Sequence, residues 1–171
     1  MRIDSKSIEL GKGIMKKEKK IYHILIAVLC MAVLSGCGNP AGVYNDEEKL
    51  AADYDSYNIV SGVRNQLDNG AEGSFGKMEG VVTARKFEAK EDTAAEMEYD
   101  FSVTKGKAKL ILVAPDGTVT TLVELEEQDS EAAAESGTVE LQLQKGTNVM
   151  KAVGGKGASF SYTFTVEKEE K

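Results

Sequence analysis

The chain has 171 residues, with 21 lysines and arginines against 28 aspartates and glutamates, giving a formal net charge of −7. It contains one histidine, two cysteines and no tryptophan. A surface this acidic repels the phosphates of nucleic acids, so we do not expect DNA or RNA as a partner.

The first 36 residues have the organisation of a secretory signal segment. Four of the five residues from Lys16 to Lys20 are lysines, and residues 21–34 are apolar except for Tyr22 and His23. These fourteen residues fall short of the roughly 20 apolar residues that span a bilayer, which favours cleavage over permanent insertion. Met15 stands directly before the lysine cluster, so we expect translation to start there and not at Met1.

The apolar run closes with Leu34-Ser35-Gly36-Cys37, a leucine, two small residues and a cysteine. This order resembles the lipobox of bacterial lipoproteins. The resemblance implies cleavage before Cys37 and a diacylglyceryl group on its sulfur, which would anchor the protein to the outer, extracytoplasmic face of the cell membrane. Two acyl chains suffice for stable attachment where one would be marginal. An uncleaved signal anchor with an incidental cysteine is the alternative.

Cleavage would leave 135 residues, a usual size for one domain. It would discard His23 and Cys30 and occupy Cys37, so the body would have no imidazole, disulfide or free thiol. Catalysis through a Ser–His or Cys–His pair and zinc bound by histidine or cysteine would lack the residues they need. The body has 14 basic and 25 acidic residues, a net charge of −11. We expect a solvated acidic surface and no cofactor.

Residues 37–45 are predicted to form a short lipidated tether, followed by a helix. Asn45 offers a cap-like side chain, acidic residues occupy the first turn, and Asn69-Gly70 supplies a stop signal. Apolar residues recur at steps of three and four: Leu50, Tyr54, Tyr57, Val60, Val63 and Leu67. This spacing predicts one N-terminal helix over residues 46–69, with its apolar face packed on the rest of the domain.

Residues 74–167 show the alternation of apolar and polar residues that is typical of β-strands. The predicted strands are Val81–Phe87, 96–103, Ala108–Ala114, Val119–Leu125, 139–144, Asn148–Val153 and 159–166. Continuous apolar residues over 110–113 indicate a central strand covered on both faces. Residues 124–137 read as an acidic surface loop, and Gly154–Gly157 as the last hairpin turn. We therefore predict a mainly β fold, an antiparallel β-sandwich of about seven strands preceded by one helix.

Exposed aromatic rings would support carbohydrate recognition, because a ring can stack on the apolar face of a sugar. The rings of the alternating strands, such as Phe101 and Phe164, are predicted to face the core. The remaining rings are the candidate ligand-binding residues: Tyr44, Tyr54, Tyr57 and Phe75.

The many acidic residues leave two further hypotheses open. A calcium site at the rim of the sandwich, using Asp116, Asp129 or nearby carboxylates, would have little linear signature. A hydrolase working through paired carboxylates would need two acids that face each other across a cleft. No pair stands out in the sequence, so we assign no catalytic or metal-binding residue and predict that the protein is not an enzyme.

The stretch from Tyr99 to Val166, with its KGK, PDG and KGT turns and its closing FSYTFTVE strand, resembles the small β-sandwich domains of lipoproteins from Gram-positive bacteria. It is also similar in rhythm to prepeptidase C-terminal-type sandwiches. The resemblance implies an accessory module. We predict a membrane-anchored, non-catalytic binding or structural module that contacts an envelope protein or glycan. The alternatives are a carbohydrate or peptidoglycan recognition module and, after it, a carboxylate-based hydrolase.

Overall fold

A computed structural model describes residues 42–129 and 131–168 of the chain. The predicted signal segment 1–36 and Cys37 lie outside the described residues. A 3-10 helix, Val43–Asn45, precedes the short α-helix α1, Glu47–Ala51. The strands are β1 Ser56–Asn58, β2 Ser61–Gln66, β3 Gly70–Ala89, β4 Thr93–Lys105, β5 Lys107–Val113, β6 Val119–Glu126, β7 Ala133–Leu143 and β8 Gly146–Lys168.

The eight strands form one antiparallel sheet that folds over into two layers. The first layer has the order β2, first half of β3, second half of β8, β4, β7. The second layer has the order β1, second half of β3, first half of β8, β5, β6. Strands β3 and β8 therefore run through both layers. The prediction of a mainly β, antiparallel fold is confirmed, with eight strands in the described chain.

The two long strands bend together where they pass from one layer to the other. Their pairing register shifts between Phe75 and Gly80, and positive φ angles occur at Lys77 (54°), Gly80 (119°) and Gly157 (70°). Bulges and glycines give a strand this freedom to bend. The predicted hairpin turn at 154–157 is therefore wrong. This glycine-rich segment lies within β8 and bends together with β3, so the chain passes from one layer to the other without reversing direction.

The core lies between the two layers, and a second apolar cluster covers the outer face of the second layer. The inner core includes Met97, Phe101, Leu110, Met150 and Phe160. The outer cluster comprises Val43, Tyr44, Leu50, Val81, Ile111, Val113 and Val153. Successive residues of β5 thus enter different clusters, which confirms the prediction of a strand covered on both faces.

The predicted helix over 46–69 is wrong beyond Ala51. The Asp46 side chain caps α1 by accepting a hydrogen bond from the Lys49 backbone N–H at 3.2 Å, and Ala52, with ψ of 141°, ends the helix. The following residues include serine, glycine, asparagine and β-branched side chains, all weaker helix formers than alanine or leucine. They pair with β3 as β1 and β2 instead. Of the residues described, none lies in a helix both long and apolar enough to cross a bilayer.

Three segments expected to be irregular are also more ordered than expected. The acidic loop predicted over 124–137 is confined to residues 127–132, because β6 continues to Glu126 and β7 begins at Ala133. The end of the predicted tether is the 3-10 helix, in which Val43 and Tyr44 are buried. The glycine-rich residues 70–76 belong to β3, so the sandwich begins well before residue 74.

Candidate functional site

The four candidate rings separate into two buried and two exposed residues. Tyr44 and Phe75 are 8% and 5% exposed, so the prediction that they lie at the surface is wrong. Phe75 faces the core, where its ring centroid lies 5.1 Å from that of Phe160. Tyr54 and Tyr57 are 56% and 39% exposed. Their exposure agrees with their choice as exposed rings and contradicts their placement on a packed helix face. Their role in ligand binding stays a prediction.

The exposed rings belong to a larger apolar surface, which we call the apolar edge. It consists of Tyr54, Tyr57, Ile59, Val60 and Val63, and within residues 42–129 and 131–168 these are the large hydrophobic side chains that remain exposed. All five fall within ten consecutive residues: Tyr54 precedes β1, and the other four lie on or between β1 and β2. Sequence reasoning missed the three aliphatic members because the helical spacing placed Val60 and Val63 on a buried helix face. The sequence does not show what packs against these side chains, so it could not reveal that they are exposed.

An ion pair holds this segment against the second half of β3. Asp55 Oδ1 accepts a hydrogen bond from the Thr83 backbone N–H at 2.7 Å, and Arg64 Nη1 donates to the Thr83 carbonyl at 2.9 Å. Arg64 and Asp55 also contact each other at 3.5 Å. The N–H and the carbonyl of Thr83 both bond to side chains, and Thr83 lies two residues beyond Val81, the last residue of β3 that pairs with β1. We call these contacts of Asp55 and Arg64 the Arg64–Asp55 clasp. The Arg64 guanidinium carbon also lies 6.0 Å from the Tyr57 ring centroid, so the clasp supports the apolar edge.

A second arginine fixes the turn between β2 and β3. Arg85 Nη1 donates to the carbonyls of Leu67 and Gly70, and its Nη2 donates to that of Asp68 at 2.7 Å. The Arg85 guanidinium also lies 5.7 Å from the Phe87 ring centroid. Because one planar guanidinium group bonds to three carbonyls, the turn between β2 and β3 has a defined position.

Close packing at Gly62 positions Ile59 over the core. A Cβ atom at Gly62 would lie 2.4 Å from Ile59 Cδ1 and 2.8 Å from Phe75 Cδ1. Real Cβ contacts are longer than this, so the absence of a side chain at Gly62 lets Ile59 lie beside the Phe75 ring. The apolar edge is therefore an extension of the core to the surface.

The charges beside the apolar edge are exposed. Lys86 Nζ lies 2.9 Å from Asp53 Oδ1, and this hydrogen bond lowers the pKa of Asp53 and raises that of Lys86. Exposed ion pairs contribute little to stability in water. This pair and the Arg64–Asp55 clasp give the apolar edge a polar rim, as in protein-binding surfaces.

The outer face of the first layer is polar and carries a shallow groove of about 500 Å³. Its lining includes Glu98, Asp100, Ser136, Thr138 and Thr163. Glu98 and Asp100 alternate along β4, so their side chains leave the same face side by side. The hydrolase hypothesis required two acids facing each other across a cleft, and this groove does not supply that arrangement.

The structure separates the two acids of the calcium hypothesis. Asp116 precedes β6 and Asp129 follows it, so the eight residues of β6, about 26 Å in length, lie between them. Asp116 accepts hydrogen bonds from Gln144 Nε2 and the Thr118 backbone N–H, both at 2.9 Å, and these bonds lower its pKa. The described part of the chain contains no cluster of three or more His, Cys, Asp or Glu residues that could hold a metal ion.

No protein-family model matches the chain, and no curated protein sequence matches it. The solved structures with partial similarity to the chain include the following three. The globular domain of zebrafish complement 1qA protein has 18% identity and a TM-score of 0.36, over 50% of this chain and 70% of that one. The exo-β-1,3-galactanase from Phanerochaete chrysosporium with galactose has 16% identity and a TM-score of 0.38, over 65% and 30%. A CBM4 structure has 7% identity and a TM-score of 0.37, over 66% and 78%. Similarities at this level carry no information on ligand or activity.

Proposed function

We propose that this protein is a non-catalytic binding module, anchored by lipid to the extracytoplasmic face of the cell membrane, whose apolar edge binds a protein of the cell envelope. The observation that carries the proposal is the concentration of exposed large hydrophobic side chains in residues 54–63. Clustered apolar exposure marks interaction surfaces in soluble domains, whereas scattered exposure does not. The order of lysine cluster, apolar run and lipobox supports the anchored location.

The composition of the apolar edge favours a protein over a sugar as its partner. Three of its five members are aliphatic: Ile59, Val60 and Val63. Aliphatic side chains bind other apolar side chains, whereas sugar recognition depends on rings and hydrogen-bonding groups. Within the described chain, β1 and β2 pair only with β3 and so form sheet edges. An extended segment of a partner protein could pair with such an edge.

Site-specific photocrosslinking in native membranes would test this proposal. A photoreactive residue at Val60 should form a crosslink to one defined protein, whereas the same residue at Thr121, exposed on the opposite edge strand β6, should not. Adding Val63→Ser should reduce the Val60 crosslink by about tenfold, because a lost buried valine side chain weakens binding by roughly 1.5 kcal/mol. Equal crosslinking at Val60 and Thr121, or no effect of Val63→Ser, would overturn the proposal.

Carbohydrate or peptidoglycan recognition is the second candidate function. It is favoured by the exposure of Tyr54 and Tyr57 on the same short segment. Binding to a glycan array or to cell-wall fragments should then disappear in a Tyr54→Ala, Tyr57→Ala double variant and persist in a Val60→Ser, Val63→Ser double variant. Retention of glycan by the tyrosine variant would exclude these rings as the site. A Cys37→Ala form, secreted without the anchor, separates ligand binding from membrane attachment in both tests.

A further inference from the structure

A cleft of about 770 Å³ opens between the two layers, at the end of the sandwich away from the bend of β3 and β8. Its apolar floor is formed by Phe87 of β3, Leu143 of β7 and Val166 of β8, which pack in or against the inner core. Both layers therefore contribute to the cleft, and its floor is continuous with the core. Clefts that bind small molecules have volumes of about 300–1,000 Å³ and mostly apolar linings.

Arg85 is brought into this cleft by a bulge in β3. The pairing register of β3 with β8 shifts between Thr83 and Arg85, so that Arg85 pairs with Met150, whose side chain lies in the inner core. The Arg85 side chain therefore points between the layers, and it contributes to the lining of the cleft. Re-aiming one side chain is a usual consequence of a bulge.

The positive charge of Arg85 has no carboxylate partner in the described chain. Its bonds go to main-chain carbonyls at the turn between β2 and β3, and the ion pairs within the described residues involve other basic side chains. Its Nε atom is buried and bonds to no group of the described chain. By contrast, Lys86, the other basic residue of the lining, is paired with Asp53. A positive charge and an unused hydrogen-bond donor thus lie at the inner wall of the cleft.

The rim of the cleft is negative. Asp68, Glu88 and Glu167 belong to its lining, and all three are exposed. The charge along the cleft therefore changes from positive at the inner wall to negative at the rim. Such an arrangement orients a ligand that carries one charge of each sign, with its anionic group inward and its cationic group outward.

We propose that the cleft binds a short free peptide with an apolar C-terminal residue. The peptide carboxylate contacts the Arg85 guanidinium, whose planar shape matches that of a carboxylate. The apolar side chain lies on the floor formed by Phe87, Leu143 and Val166, and the N-terminal ammonium reaches the acidic rim. The cleft is larger than one amino acid fills, which favours a short peptide. It shares no residue with the apolar edge, so binding of the peptide and binding of the envelope partner are separate functions.

Calorimetric titration of the full chain, purified from membranes and held in detergent micelles, would test the site with related dipeptides. Alanyl-leucine or alanyl-phenylalanine should bind. Three changes to the bound dipeptide should each weaken binding by about tenfold or more, because each removes a charged or buried contact: amidation of the carboxylate, acetylation of the ammonium, and replacement of the C-terminal residue by glycine. No binding of either dipeptide, or undiminished binding of any of the three altered forms, would overturn the proposal.

Variants of the protein place the bound dipeptide in the cleft. Arg85→Met should abolish its binding, whereas Arg64→Met, at the apolar edge, should leave it unchanged, with circular dichroism showing that both variants fold. Because Arg85→Met also removes the bonds to the β2–β3 turn, a second variant neutralises only the exposed rim: Asp68→Asn, Glu88→Gln and Glu167→Gln together. This rim variant should bind the dipeptide more weakly and leave the already weak binding of the N-acetylated form unchanged. Equal binding by the Arg85 and Arg64 variants, or undiminished binding by the rim variant, would overturn the assignment of the cleft.

Discussion

Two consecutive stretches of the chain place their apolar side chains in opposite environments: residues 43–53, which we call the strap, and residues 54–66, which we call the edge segment. Leu50 in the strap is 2% exposed, whereas Val60 and Val63 in the edge segment are 74% and 63% exposed. Both stretches mix apolar, polar and charged residues, so composition does not separate them. The difference comes from the surface that lies beneath each stretch.

The strap lies on an apolar face and the edge segment lies beside a polar one. Ile111 of β5 and Val153 of β8 point outward from the second layer and give Leu50 a surface to bury. The corresponding face of the first layer carries side chains such as Asp100 and Thr163. The edge segment is held by its pairing with β3 and by hydrogen bonds of Asp55 and Arg64 to Thr83, which position it while Val60 and Val63 stay exposed. Its exposed valines are therefore supported in place, as a binding surface requires.

Leu50→Ala should have the largest effect on stability and so sharpen this comparison. Removal of a buried leucine side chain costs roughly 2–5 kcal/mol when the cavity cannot collapse. We expect the free energy of unfolding of the described domain, measured with a chemical denaturant, to fall by about 2–4 kcal/mol. The matched substitution in the edge segment, Val60→Ala, should change it by less than about 0.5 kcal/mol. Similar effects of the two substitutions would contradict the contrast between strap and edge segment.

Lys151→Met should have an intermediate effect, because it removes the ammonium group and keeps the apolar stem. The carbonyls of Leu50 and Ala52 would lose a buried donor, at a cost of about 1–3 kcal/mol, partly offset because a buried charge is removed. Hydrogen exchange should show faster exchange in α1 before any change in β4. Lys86→Met, which removes the exposed lysine of β3 that contacts Asp53 of the strap, should change exchange in α1 less. Unchanged exchange in α1 of the Lys151 variant would show that this lysine does not hold the strap.

Sequence reasoning could predict the β architecture but not the structure of the edge segment. The continuous apolar run 110–113 identified β5 as a strand covered on both faces, since no exposed strand tolerates it. The spacing of Tyr54, Tyr57, Val60 and Val63 fits a helix equally well on paper. What decides against the helix is the free edge of β3, a partner that lies later in the chain and cannot be seen in the local pattern. Local periodicity was therefore misleading where long-range pairing decides the structure.

The same limit explains the errors at Phe75, Tyr44 and the glycines. Phe75 stands in a glycine-rich stretch that resembles a loop, yet β3 passes through it and directs the ring inward. Tyr44 stands in a small-residue stretch that resembles a tether. Its ring nevertheless contacts Lys107 and Lys109 of β5, and its hydroxyl bonds to Glu124 of β6. Each outcome depends on residues far along the sequence. Of the four candidate rings, only Tyr54 and Tyr57 are exposed as predicted, and they lie in and before strand β1 and not on the predicted helix.

The smallest effect we predict is on the pH dependence of the free energy of unfolding, in which the contribution of Tyr44 can be measured apart from that of the rest of the domain. Burial, and then the hydrogen bond to Glu124, raise the pKa of Tyr44 above its ordinary value of 10.0, and burial raises that of Tyr162 to about 12. A raised pKa means that the folded state keeps a proton which the unfolded state loses, so stability is full below pH 10 and falls as the pH rises above it. Lys151 acts in the opposite direction, because burial lowers its pKa.

Subtracting the pH curve of a tyrosine variant from that of the unmodified protein cancels the contribution of Lys151, which both proteins share. The free energy of unfolding, measured from pH 8 to 11, should fall less steeply above pH 10 in Tyr44→Phe than in the unmodified protein, and least steeply in Tyr44→Phe with Tyr162→Phe. The single variant tests the strap, since Tyr44 is its first fastening point and Tyr162 lies in the inner core. If Tyr44→Phe retained the full alkaline decline, the Tyr44 hydroxyl would be ionising freely, and the strap would be detached from β6 in solution.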